Sequence, residues 1–253
     1  MKSFENIKVT LINKEEVKDF LVKHGQRACV CYNTNEKYAK GGGRSVLKSN
    51  HMSGSRGIYF DFVFENVPRS MIDQSIRHDI GTYKNVQSFR YVNKSDFSYY
   101  TNPLIKKYPE IEKVYDDTMR IIRDRYAHII GMLQDKGYSG EKANQSARGI
   151  LPMNTNSKFV QGFTAEALFN FMNKRLCVRA EDCIRYVAKL MREEVLSVLP
   201  EFEEYLVPEC EKLRYCNEGK FCCGRFLTKE SMFELLDSDI VKNEIEKKKL
   251  EVK

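Results

Sequence analysis

The sequence predicts an α+β fold: a mixed or antiparallel sheet packed with several long helices. Three observations predict it. Residues 57–65 read Gly-Ile-Tyr-Phe-Asp-Phe-Val-Phe-Glu, an aromatic and β-branched run that suits a strand. Across 111–133, Val114, Met119, Ile121, Ile122, Tyr126, Ile129, Ile130 and Leu133 recur at three- and four-residue spacing, the mark of one long amphipathic helix. Helical spacing returns at 164–172 and at 180–198, the latter closing before Pro200.

The remaining elements follow in order. Residues 7–12 alternate weakly and suit an edge strand. Residues 15–24 place Val17, Phe20 and Leu21 on one helical face, with Gly25 as a stop. The short apolar run 28–32 fits either a helix or a strand. Gly41-Gly42-Gly43 reads as a flexible turn, since no P-loop Lys-Ser follows. Pro68 opens a helix to about Arg77 with Met71, Ile72 and Ile76 inward. Residues 78–91 then form a loop between rigid flanks, where binding residues tend to sit, and 87–93 regain strand character. Ser139 caps a helix over 141–149, and Pro152 breaks it. A short turn is expected at 201–206. Residues 1–226 read as a single domain and 227–253 as a charged, helical C-terminal tail, with 243–253 expected to fray.

Composition narrows the function classes. The chain has 253 residues, 42% hydrophobic and 30% charged, an ordinary balance for a soluble domain. It contains no apolar run of membrane-spanning length, and its first residues do not read as a signal peptide, so a cytoplasmic location is expected. A net charge of +7 favours anionic partners. Nucleotides and polyanionic folates gain from it as much as nucleic acid does. Acidic residues interspersed among the lysines and the lack of a nucleic-acid motif count against DNA or RNA. Of eight cysteines, Cys210, Cys216, Cys222 and Cys223 fall within fourteen residues. The paired two-residue spacing of common zinc sites is absent, and no metal is expected.

The richest stretch is 74–91, which gathers Gln74, Arg77, His78, Ser88, Arg90 and Tyr91 within eighteen residues. Arginine forks match phosphate oxygens, and Gln and Ser read a pyrimidine edge because each both donates and accepts. A second block runs Ala147-Arg148, Leu151-Pro152, Asn154, then Asn170-Phe171, then Arg175-Leu176-Cys177-Val178-Arg179-Ala180. A third is His51-Met52-Ser53. Together these blocks resemble, in order and spacing, the signature of the flavin-dependent thymidylate synthases. That family carries Gln-x-x-Arg-His-Arg, then Ser-x-Arg-Tyr, then Ala-Arg-x-x-Leu-Pro-x-Asn, and Arg-Leu-Cys-x-Arg-Ala. The resemblance covers about 45–225.

The resemblance implies the corresponding fold, and reductive methylation of dUMP to dTMP with FAD, methylenetetrahydrofolate and NADPH. It implies a homotetramer whose sites draw on several subunits. By motif position, Arg175 is the catalytic residue, beside the uracil ring. Gln74, Arg77, Ser88, Phe89, Arg90 and Arg148 join it in holding dUMP. His51, Ser53, Arg77, His78, Asp79, Thr164 and Asn170 hold FAD. Cys177 resembles a thiol nucleophile, but the family methylates without an enzyme thiol, and Ser88 is assigned to binding. His24 and His128 read as plain surface or core-edge groups.

Three positions depart from the family pattern, all on the flavin side, and eight residues rather than the family's seven separate Asp79 from Ser88. Asp79 and Glu166 stand where arginines are usual, and Gly57 replaces a histidine. An altered C5 modification of a deoxypyrimidine nucleotide, such as hydroxymethylation, is the near alternative. A non-catalytic basic protein binding nucleic acid or zinc is the alternative from another class.

Overall fold

The protein is described by a computed structural model covering residues 4, 6–33, 35 and 39–237. In chain order the elements are β1 (Lys8–Leu11), α1 (Lys14–Val17), α2 (Phe20–Tyr32), α3 (Ala39–Lys48), β2 (Tyr59–Pro68), α4 (Arg69–Ser75) and β3 (Thr82–Val86). Then come α5 (Pro103–Lys106), α6 (Pro109–Asp135), α7 (Gly140–Ala147), β4 (Asn156–Thr164), α8 (Ala165–Arg175), α9 (Asp182–Leu196), α10 (Glu209–Leu213) and α11 (Lys229–Leu236). The sheet order is β1-β2-β4-β3, and every pair is antiparallel, so the expected α+β class holds.

Alternation along β2 explains the core. Phe60, Phe62 and Phe64 are fully buried, while Tyr59, Asp61 and Val63 between them are less so. With a two-residue side-chain period, one face of β2 is therefore aromatic. Phe159 stacks on Phe64 at 4.3 Å, and Phe163 meets Phe171 of α8 at 5.3 Å. Val187, Met191 and Val195 of α9 are fully buried in the same cluster. A smaller core joins Tyr126 and Ile130 of α6 to Ala143 and Ala147 of α7.

Three expectations change. Gly25 does not stop a helix, and Gly41, Gly42 and Gly43 do not form a turn: they lie inside α2 and α3. For Gly25 and Gly43 the reason is close helix packing, because a Cβ on Gly43 would lie 2.0 Å from the Leu21 carbonyl oxygen and one on Gly25 1.6 Å from that of Ala39, whereas one on Gly41 or Gly42 would meet nothing within 4 Å. Backbone meets backbone there, and contact energy outweighs glycine's poor helix propensity. Gly43→Ala is expected to lower the thermal midpoint by roughly 5–10 °C, from about 2–3 kcal/mol of overpacking. A calorimetric midpoint at the wild-type value would refute the close approach.

Second, the 78–91 stretch contains a strand. β3 covers its centre, pairing with β4 from Thr82↔Phe163 to Val86↔Phe159, whereas 87–93 is a turn. Third, the apolar stripe of α6 is only partly covered. Met119, Tyr126 and Ile130 are buried, but Val114 and Ile121 are exposed. The segment from Asn243 onward lies outside the described residues.

Candidate functional site

Two clusters emerge, one at each end of β3. The first sits where α4 and α8 end. The Arg175 Nε–H donates to His78 Nε2 at 2.9 Å, and its Nη2 donates to the Gln74 carbonyl at 3.2 Å. The His78 ring stands edge-on to Phe171 at 4.8 Å. The Gln74 amide donates to the carboxylate of Glu181, which also attracts Arg175 electrostatically. Burial, then the nearby charge of Arg77, lowers the pKa of Arg175, although a guanidinium remains charged.

His78 is neutral for three concordant reasons. Burial pushes its pKa down to about 4, with Arg175 and then Lys84 adding to the shift. Its Nε2 is an acceptor in the bond from Arg175, so that nitrogen carries no proton. The unfolded chain takes up a proton near pH 6.5 that the folded chain refuses until about pH 4. Stability is therefore complete above about 6.5 and is lost as pH falls through that window. His24, also lowered by burial, contributes in the same sense. Urea midpoints measured from pH 7.5 to 4.5 should fall less steeply in His78→Gln than in the wild type. Parallel curves would show that His78 is not the titrating group.

The second cluster lies beyond β3, which carries the chain roughly 14 Å at about 3.4 Å per residue. Ser88 Oγ accepts from the Arg90 amide at 3.3 Å. The Arg90 guanidinium pairs with Glu141 of α7, and its Nε is buried without a partner. Phe89 lies beneath the Lys94 ammonium, 4.7 Å from the ring centroid. Arg148 is exposed just past the end of α7, two helical turns beyond Glu141. Gln74, Arg77, His78 and Arg175 thus form one group and Ser88, Phe89 and Arg90 another, with Arg148 on the helix end that follows Glu141.

The other candidates sort differently. His51 and Ser53 are exposed and line a cleft of about 390 Å³ with His24, Arg27 and Cys31. His24 is buried there with neither ring nitrogen hydrogen-bonded. Thr164 caps α8, its Oγ1 accepting from the Ala167 amide at 3.3 Å, and Asn170 lies exposed on that helix. Asp79 pairs with Lys84 at 2.9 Å. Gly57 has φ +81°, a left-handed conformation that disfavours the histidine it replaces. Glu181, Glu141, Lys84 and Arg27 were not singled out from sequence. Only Glu141 had a legible signal, its one-face spacing from Arg148.

A model for the family described as thymidylate synthase complementing protein matches residues 10–201. Curated relatives named flavin-dependent thymidylate synthase include one from Nitratidesulfovibrio vulgaris, 36% identical over 189 residues, covering 74% of this chain and 77% of the relative. One from Clostridium tetani is 31% identical over 188 residues, covering 71% and 75%. One from Sulfurisphaera tokodaii is 33% identical over 172 residues, covering 66% and 62%.

Proposed function

Since the chain belongs to the flavin-dependent thymidylate synthase family, we propose that it methylates dUMP to dTMP with FAD, methylenetetrahydrofolate and NADPH, at a site built from the two clusters. The observation that carries this reading is the Arg175–His78–Gln74 constellation, whose members come from two distant motifs. When bound, reduced FAD would supply the hydride and methylenetetrahydrofolate the carbon. Arg175 would stabilise the uracil N3 anion and so raise the nucleophilicity of C5. Neutral His78 holds the Arg175 fork in orientation without adding a second positive charge. Arg90, with its unpartnered Nε, and Arg148 would take the dUMP phosphate, and Ser88 the sugar or base edge.

The FAD set fits in chemical kind. Arg27, His51 and Ser53 line one cleft with His24, whose neutral ring offers one donor and one acceptor, and the positive Arg27 suits an anionic dinucleotide. Arg77, His78 and Asn170 would complete it. Asp79 and Glu166 subtract from it, and Lys84 supplies a cation beside Asp79.

We infer that the site is completed by self-association. The clusters lie at opposite ends of a strand, so one nucleotide would take its two halves from different copies. Ile80, between His78 and Gly81, is 95% exposed, and Val114 and Ile121 of α6 are also uncovered. Apolar surface of this kind suits self-association, here as a homotetramer. A cytoplasmic location belongs to the proposal; no described helix is long and apolar enough to cross a membrane. We assign the activity to residues 1–226 as a single domain, with 227–253 as an appended tail.

The test is flavin titration combined with product analysis. The wild type is expected to convert dUMP to a product with the mass of dTMP. Asp79→Arg should tighten FAD about 5- to 150-fold, corresponding to about 1–3 kcal/mol for a charge-assisted contact. A hydroxymethyl product would favour the alternative C5 chemistry. Unchanged FAD affinity would remove Asp79 from the flavin site.

A further inference from the structure

Lys94 is a half-buried cation held by neutral groups alone. Its Nζ donates to the Gln87 side-chain oxygen and to the Asn156 carbonyl, each at 3.0 Å. The ammonium stands over the Phe89 ring, 4.7 Å from the centroid. Burial lowers its pKa. Among the described residues no carboxylate forms an ion pair with it, whereas other partly covered cations have one: Lys84 pairs with Asp79, Arg90 with Glu141 and Arg185 with Asp182. Taking an ammonium out of water costs free energy that a paired anion normally offsets. Two carbonyl-type oxygens and an aromatic face offset part of that cost, and the charge itself stays uncompensated.

The ammonium is also fixed in place. The Gln87 amide donates to the Lys158 carbonyl at 2.9 Å, and Ser157 Oγ donates to the Gln87 side-chain oxygen at 3.5 Å, so β4 holds the group that holds Lys94. The Ser88 carbonyl accepts from the Tyr91 and Val92 amides at 3.2 and 3.1 Å, which closes the turn and returns Lys94 across its start. Asn93 Nδ2 donates to Asn144 Oδ1 at 3.3 Å and ties the turn to α7. An ammonium has three N–H donors, and the two acceptors leave one unspent. The same turn carries a second unspent donor, the buried Nε of Arg90.

We propose that Lys94 is a further binding residue for the nucleotide, contributing its free N–H and its uncompensated charge to the 5′-phosphate and so selecting the monophosphate over the bare nucleoside. The inference rests on the reading of the 88–90 turn as the phosphate-holding part of the site. A dianionic phosphate supplies the missing counter-charge, and an ammonium already held by Gln87, Asn156 and Phe89 loses little freedom on meeting it.

The experiment compares dUMP with deoxyuridine, which lacks the phosphate, by titration calorimetry on the full-length protein. Lys94→Met keeps the side-chain length and the contact with Phe89 while removing the charge. It is expected to weaken dUMP binding about 10- to 100-fold, the scale of one hydrogen bond to a charged group, and to leave deoxyuridine binding unchanged. Lys94→Arg should restore most of the loss. Added salt should weaken dUMP binding more steeply in the wild type than in Lys94→Met. Should Lys94→Met fail to fold by circular dichroism, Lys94→Gln, which keeps a donor, gives the same comparison. Equal losses for both ligands would make Lys94 a tie within the turn and overturn the proposal. Arg90→Ala separates the two levels of inference. If it weakens dUMP while Lys94→Met does not, the role of Lys94 falls alone. If neither substitution matters, the phosphate reading of the turn falls with it.

Discussion

Arg175→Ala is expected to lower kcat for dTMP formation by about 100- to 1,000-fold, the scale of losing one electrostatic donor aimed at developing charge. The site explains why no neighbour compensates. Arg77 is exposed, His78 is neutral, and Gln74 already donates to Glu181. Arg175→Lys should fare little better, because one ammonium cannot bond both the His78 ring and the Gln74 carbonyl while presenting a planar edge to the base. Initial rates with saturating dUMP and a circular dichroism check of folding decide the matter. A well-folded Arg175→Ala enzyme within tenfold of wild type would remove Arg175 from the chemistry and with it the central role assigned here.

The second large effect is complementation between two inactive variants. Arg90→Ala and Arg175→Ala each damage one cluster, and those clusters lie at opposite ends of β3 in the same chain. If each site takes one half from each of two copies, neither variant alone assembles an intact site. Mixed, unfolded and refolded together at equal amounts, they should recover about a quarter of the wild-type rate, because random pairing unites two intact halves at one site in four. Recovery also requires subunit exchange, so mixing the native proteins without refolding is the control. Co-refolded mixtures that remain at the level of the single variants would place both clusters in one subunit's site, or in no shared site.

Local structure was legible where one physical signal dominated. The alternation of Phe60, Phe62 and Phe64 marks a strand with one buried face, and the long period of α6 marks a helix. Both depend on the burial of neighbouring residues. Gly25 and Gly43 misled because their role is to admit another helix's backbone, a partner that propensity does not see. β3 was hidden inside a polar stretch, since its burial is intermediate and exposed in alternation and its pairing partner, β4, lies more than seventy residues downstream. Motif spacing named Arg175 and His78 as functional, but their hydrogen bond joins residues 97 positions apart.

What the chain determined by itself is its inventory and local periodicity: which side chains are able to bind anions, which runs become strands or helices, and which family's motifs it carries. These are properties of residues within a few positions of one another, where sterics and side-chain period act directly. Only the folded molecule decided that the arginines divide between two ends of an edge strand and that Gly25 and Gly43 serve as helix contacts. Those outcomes depend on which distant surfaces exclude water together, and that choice is made by the whole core rather than by any segment.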